Sequence, residues 1–204
     1  MPDLSLELRY RGLRVAGIDE AGRGPLAGPV LAAAVVFRDG GPPPDLVEQL
    51  NDSKLLTAAA RSALLPLIYE HAEVGVGSAT VDEIDSINIL QATFLAMGRA
   101  LAALGEAPVV ALVDGNQAPK LCCPVETVIG GDGRSASIAA ASIVAKVMRD
   151  TQMIGLAEQH PGYGWERNVG YGTPEHLAAL HRLGVSVHHR RSFRPVYELL
   201  AISA

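Results

Sequence analysis

The sequence predicts an α/β or α+β domain that carries an all-helical appendage from about residue 161. Three observations predict it. Apolar runs rich in β-branched and small residues recur at 13–19, 29–37, 73–80 and 108–114 and alternate with stretches of helical spacing, above all 89–104 and 135–160. Past residue 160 the strand-like runs stop, and Thr173-Pro174-Glu175 opens a helix with a capping residue and a proline at the first helical position. With 204 residues, 49% apolar and 19% charged, the chain can bury one sizeable core but not two full domains. The expected organisation is therefore a domain over 1–160 with an extension over 161–204 packed on it.

The elements follow in chain order. LRVAGID (13–19) and PVLAAAVVF (29–37) read as two strands around the Gly-rich segment AGRGPLAG, a spacing that allows an antiparallel pair. RDGGPPPD (38–45) breaks both, and Thr57 caps a helix running to about His71. EVGVGSAT (73–80) alternates like a third strand, and after VDEIDSIN the residues 89–104 form a long helix. PVVALVD (108–114) is continuously apolar, as in a strand covered on both faces, which predicts a central position. The helix over 135–160 carries small residues that permit close packing on a sheet. PGYGWERNVGYGT (161–173) is a loop, in which Tyr163 and Trp165 read as packing for the appendage.

Composition excludes several function classes. The longest apolar run, Val30 to Phe37, is far too short to span a membrane, and the N-terminus lacks a signal peptide's apolar stretch. The two cysteines, Cys122 and Cys123, are adjacent, which suits neither a disulfide framework nor a zinc site and fits packing in a reducing cytoplasm. Net charge is −5, but unevenly spread: residues 1–133 hold 9 basic and 17 acidic residues, and 134–204 hold 8 and 5 with five of the six histidines. A polyanion fits the C-terminal third better than the acidic remainder. The run His188-His189-Arg190-Arg191, and His176, read as either DNA-backbone contacts or a solvated basic face.

Four carboxylates carry the chemistry. Asp19 and Glu20 end the first strand, Asp114 ends the apolar strand, and Asp132 stands just before the long helix. If the two strands run parallel side by side, their C-terminal ends bring these acids into one crevice. Crowded carboxylates repel, and hard divalent cations with oxygen ligands are the natural way to keep them ionised. Two such ions clamp the attacking and leaving oxygens of a phosphodiester, so the chemistry implied is phosphoryl transfer to water. Taken singly, each acid also reads as a cap or turn residue. Gly22-Arg23-Gly24 follows directly and allows backbone amides to approach a nucleic-acid strand, with the arginine adding a phosphate contact. It is not a P-loop, because no Gly-Lys-Ser/Thr follows.

These residues carry a resemblance. GIDEAGRGPLAGPVLAAAVV, NDSKLL, LVDG, GGDGRSASIAAASIVAKVMRD and GYGTPEH stand in the order found in the bacterial type 2 ribonucleases H, the ribonuclease HII family, over about residues 13–196. The resemblance implies a ribonuclease H-like fold, a mixed five-stranded sheet flanked by helices with a C-terminal helical extension. It implies two Mg²⁺ or Mn²⁺ ions on Asp19, Glu20, Asp114 and Asp132. It further implies a substrate surface at Gly22, Arg23 and Gly24, with Tyr171 stacking on a sugar and reading its 2′-hydroxyl. Asp52-Ser53-Lys54 matches the family's DSK segment, making Ser53 and Lys54 substrate contacts, with Leu55 where a second lysine is common. Lys146 is either a further contact or an i, i+4 ion-pair partner of Asp150. Ser135 and Ser137 cap the helix or place a phosphate. The implied activity is endonucleolytic cleavage of the RNA strand of RNA/DNA hybrids, and cutting 5′ of single ribonucleotides in duplex DNA to leave 3′-hydroxyl and 5′-phosphate ends. The competing readings are a two-metal nuclease of other specificity and a noncatalytic hybrid-binding protein. A monomer without a sliding-clamp-binding tail is expected, since FRPVYELLAISA lacks paired terminal aromatics.

Overall fold

Five strands form one mixed sheet: β1 (Val15–Ala21), β2 (Val30–Phe37), β3 (Ala72–Ala79), β4 (Val110–Asp114) and β5 (Val125–Val128), in the order β3-β2-β1-β4-β5. The computed structural model describes residues 1–10, 12–38, 41–51 and 53–202. Asp39 and Gly40 of the predicted break, and Asp52 of the DSK segment, lie outside them. β1 pairs antiparallel with β2 and β2 with β3, whereas β4 runs parallel to both β1 and β5. The central strand is thus β1, not the predicted 108–114 run. β4 is one place off centre and still covered on both faces, which explains its unbroken apolar run. β5 was not read from the local sequence because four residues are too few for an alternation to register.

Helices follow the strands: α1 (Ser5–Leu8), α2 (Pro44–Gln49), α3 (Ala58–His71), α4 (Val81–Ala102), α5 (Ala136–Gln159), α6 (Trp165–Asn168), α7 (Pro174–Leu183) and α8 (Arg194–Ile202). α4 covers one face, with Ala92, Ala96, Met97 and Ala100 in a core that includes Ile18, Ala32, Ala34 and Val113. α3 and α5 cover the other, bringing Leu64, Ile68, Ile143 and Val144 into a core with Ala33 and Val35. Thr57 and Ser135 cap α3 and α5 as their sequences predict, each accepting from the amide three residues on. α4 begins eight residues before the predicted Ile89. Thr80 and Glu83 form a capping box, and Asn88, at φ 67°, breaks the helix and then restarts it by accepting the Leu90 and Gln91 amides. That Asn interrupts the helical pattern, which is why the sequence shows the helix only from Ile89.

The C-terminal elements build their own small core, where Trp165, Leu180 and Val196 meet Leu26 and Ala27 of the β1–β2 connection and Met153 of α5. Tyr163 stacks on Trp165 with ring centroids 4.9 Å apart, in the predicted packing role. The segment before α8 is moored to α4 through Asp85, whose carboxylate accepts the Arg191 and Ser192 amides at 2.9 Å. The same packing corrects the basic-face reading for three of its five residues, leaving Arg191 exposed and His188 half-buried. His176, His189 and Arg190 are buried and contact neither solvent nor an open surface. Among the described residues, no helix is long and apolar enough to cross a membrane.

Candidate active site

The parallel pairing of β1 and β4 sets the acids together. Its last registered pair is Ile18 opposite Val113, so Asp19 and Asp114 are the next residues along adjacent strands. Glu20 follows on β1, and its amide donates to Asp19 Oδ1 at 2.7 Å. Asp132 lies on a 3₁₀ turn, Gly131–Gly133, joined to the site because the Gly131 amide donates to Asp114 Oδ1 at 2.7 Å. Burial pushes the Asp19 carboxyl well above the usual carboxylate range. The charges of Glu20 and Asp114 push the same way, against hydrogen bonds from the Ser142 hydroxyl and the Glu20 amide. Glu20 is raised too, first by burial and then by Asp114, while Arg23 and Lys54 oppose the shift; Arg23 Nη1 stands 3.3 Å from Glu20 Oε1. The donor set is all carboxylate oxygen, and its negative charge is under-compensated. Among the described residues no three His, Cys, Asp or Glu side chains converge closely enough to form a ready ligand shell.

Beside the acids the chain turns through residues 22–24. Gly22 has φ +96°, and a Cβ there would lie 2.0 Å from Arg149 Nε, so both conformation and space demand glycine. Arg23 and Gly24 are exposed. Tyr171, 44% exposed, flanks them: a Cβ on Gly24 would stand 3.5 Å from its ring. The two loops are stitched together by the Leu26 amide, which donates to Gly170 O at 2.8 Å, and by Arg149, which donates from Nη2 to Ala27 O and from Nη1 to Val169 O. The arrangement is a carboxylate cluster bordered by an exposed backbone turn and a tyrosine.

A family model, Ribonuclease HII, matches residues 16–196 of the chain. The chain belongs to the ribonuclease HII family. Ribonuclease HII of Rhodospirillum rubrum is 64% identical over 206 residues, covering all of this chain and 94% of that protein. The crystal structure of the ribonuclease H2 from Pyrococcus horikoshii OT3 superposes with a TM-score of 0.78 at 26% identity, over 93% of this chain and 98% of that one. A crystal structure of Bst-RNase HIII in complex with Mn²⁺ shares the fold, with a TM-score of 0.74 at 19% identity, over 94% of this chain and 70% of that one. This member is accordingly an endoribonuclease with the mixed five-stranded α/β architecture of the family's structural relatives.

The remaining predicted residues divide. Lys54 is exposed and acts electrostatically on Glu20, at the rim of the acids. Ser53 is buried instead, its hydroxyl 2.7 Å from that of Ser142, whose own hydroxyl favours the charged form of Asp19. Lys146 Nζ lies 2.8 Å from Asp150 Oδ1, the ion-pair alternative of its sequence reading. Ser135 and Ser137 both donate to Glu7 Oε1, at 2.6 and 2.7 Å, and Ser135 also caps α5. Their hydroxyls therefore tie α1 to α5, in place of the phosphate role. Cys122 and Cys123 are free thiols, the second half-buried against the core. Sequence reasoning missed Ser142 and Arg149, and it gave Arg190 a surface role. The first two lie inside the matched segment GGDGRSASIAAASIVAKVMRD, but nothing local distinguishes a buried guanidinium from a surface one.

Proposed function

We propose that this ribonuclease cuts the RNA strand of RNA/DNA hybrids and the phosphodiester on the 5′ side of single ribonucleotides embedded in duplex DNA, leaving 3′-hydroxyl and 5′-phosphate ends. The observation that carries this reading is the placement of Asp19, Glu20 and Asp114 at adjacent parallel strand ends, beside an exposed turn and Tyr171. Asp19, Glu20, Asp114 and Asp132 would hold two Mg²⁺ or Mn²⁺ ions. The oxygen-only donor set suits hard cations, and the raised Asp19 carboxyl is the mark of a cluster that a cation relieves. The Mn²⁺ complex of the ribonuclease HIII with the same fold supports this. When bound, the ions supply Lewis acidity and charge neutralisation to the attacking and departing oxygens of an in-line displacement.

The chain's own residues bind and select. Arg23 and Lys54 face the phosphate backbone, the 22–24 turn offers backbone donors, and the Tyr171 ring packs on a sugar with its hydroxyl toward a ribose. A 2′-hydroxyl is the group that separates RNA from DNA at one nucleotide, and backbone and phenol donors recognise it. The free thiols of Cys122 and Cys123 support a reducing, cytoplasmic setting.

The test is a labelled DNA duplex with one ribonucleotide, and an all-DNA control, incubated with Mg²⁺ and either the wild-type chain or Asp114→Asn. The expected result is cleavage of the first duplex alone, immediately 5′ of the ribose, lost in the variant. Cutting of both duplexes would make the chain a general nuclease and remove Tyr171 from the recognition role. No cutting with Mg²⁺ or Mn²⁺ would leave a hybrid-binding protein.

A further inference from the structure

We propose that Arg190 is a positioning residue for ribose recognition: it turns the Gly22 and Arg23 carbonyls inward, so that the Arg23 and Gly24 amides face the substrate. The inference rests on the reading of residues 22–24 as the substrate-contacting turn. Arg190 is completely buried beneath that turn. Its Nη2 donates to Gly22 O at 2.6 Å and Pro29 O at 3.1 Å, its Nη1 to Arg23 O at 2.9 Å and its Nε to Gly28 O at 2.9 Å. One guanidinium thus gathers four carbonyls from both ends of the loop between β1 and β2.

The peptide plane turns this inward grip into an outward display. All described peptide bonds are trans, and in a trans peptide the C=O and the following N–H point in opposite directions. With the Gly22 and Arg23 carbonyls on the guanidinium, the amides of Arg23 and Gly24 point away from it, on the side where both residues are exposed. Among the described residues neither amide has an acceptor within the chain. A pair of free, adjacent backbone donors beside Tyr171 is an anion- and hydroxyl-binding feature.

Two further observations make the arginine specific. Arg190 and Arg149 lie buried without a carboxylate in ion-pair contact among the described residues. Burying cations in this way is costly, and apolar filling would avoid the cost. Only a planar fork of five donors can hold four carbonyls at once, and a lysine ammonium has three donors at one point. The Phe193 ring, 5.0 Å from the guanidinium carbon, supports the plane from below. The two guanidinium charges, offset only at longer range by Asp85 and Asp150, also add a favourable field for a phosphate in front of the turn.

Backbone ¹⁵N spectroscopy of the full chain provides the test, using wild type, Arg190→Lys and the milder Phe193→Leu. Each is titrated, with chelator present to prevent cleavage, with a duplex bearing one ribonucleotide and with its all-DNA counterpart. The wild-type Arg23 and Gly24 amides are expected to shift far more with the first duplex. Arg190→Lys is expected to abolish that difference and Phe193→Leu to reduce it, while β1–β4 amides stay in place. Cleavage of the ribonucleotide duplex in Mg²⁺ should fall about 10- to 100-fold in Arg190→Lys, the scale of a roughly 1 Å misplacement. If Arg190→Lys does not fold, the Phe193→Leu spectra decide. A ribonucleotide-dependent shift of wild-type size in either folded variant overturns the role of Arg190. A wild-type chain whose two amides respond equally to both duplexes overturns the underlying reading of the turn.

Discussion

Asp19 is held where its own charge is unwelcome: buried at a strand end, with Glu20 and Asp114 adding repulsion. Crowding of this kind costs stability, which the proposed metal ions would relieve, so removing the Asp19 charge should relieve the fold. We expect Asp19→Asn to raise the melting temperature of the metal-free protein by several degrees while abolishing cleavage. Mg²⁺ should raise the melting temperature of wild type but not that of the variant. A scanning-calorimetry result in which the metal-free variant melts lower than wild type would count against charge crowding at this site. Gly22 shows the same subordination of local preference to the site. Its φ of +96° and the guanidinium of Arg149 leave no room for a side chain. Both residues were legible in the sequence, the acid by its place at the end of an apolar run and the glycine by its Gly-Arg-Gly setting. Arg149 and Arg190 were not, because a guanidinium that bonds only backbone carbonyls has no partner side chain to signal it.

At the scale of elements, the active site depends on how closely α5 lies on β1. A Cβ on Gly17 would stand 2.2 Å from the backbone carbon of Ser137 and 2.4 Å from the Ile138 nitrogen, atoms that cannot rotate aside. Gly17→Ala must therefore push the start of α5 off the sheet, and with it the 3₁₀ turn of Asp132 and, further along, Ser142 behind Asp19. Overpacking of this kind costs about 3 kcal/mol. Urea unfolding should show the midpoint fall at unchanged slope, and cleavage should drop beyond what the lost stability explains. An unchanged midpoint would mean that the helix is free to slide. The small residues of 135–160 announced such packing in advance. The break in α4 at Asn88 did not, because a helix that stops and restarts within one residue looks like a loop in any short window.

Across the whole molecule, a chain of buried imidazoles joins the appendage to the Tyr171 loop. The Tyr171 carbonyl, which can only accept, fixes the proton of His176 on Nδ1, at 2.9 Å. His176 Nε2 then accepts from Trp165 Nε1 and from His189 Nε2, both at 3.0 Å, and His189 Nδ1 accepts the Ser186 amide at 3.0 Å. The network is complete only with both rings neutral, since a further proton would set two N–H groups head to head. Burial lowers His176, and burial followed by the neighbouring His176 lowers His189 from 6.5 to about 3. Between those values the unfolded chain binds more protons than the folded one. Stability is therefore full above pH 6.5 and falls as the pH drops, by about 1.4 kcal/mol per pH unit for each proton. Melting curves from pH 7 to pH 5 should show the loss, and His189→Asn, though less stable at pH 7, should flatten it. A wild-type profile as flat as the variant's would exclude this linkage.

The sequence by itself determined the alternation of strands and helices, the acids at the strand ends, the Gly-Arg-Gly turn and, through the family resemblance, the choice of Tyr171. These are local patterns, written in periodicity, in breakers and in motif order. Only the tertiary structure decided that β1 lies at the centre, that β5 completes the sheet, and that Ser53, Ser135 and Ser137 turn inward. It also decided that His189 and Arg190 of the basic run before α8 are buried, while Arg191 stays exposed. In sequence His189 and Arg190 read as DNA-backbone contacts or a solvated face, because burial depends on what packs over a segment. Here the β1–β2 loop, α5 and the Tyr171 loop close over them, and their carbonyls and rings supply the hydrogen bonds that water would otherwise have made.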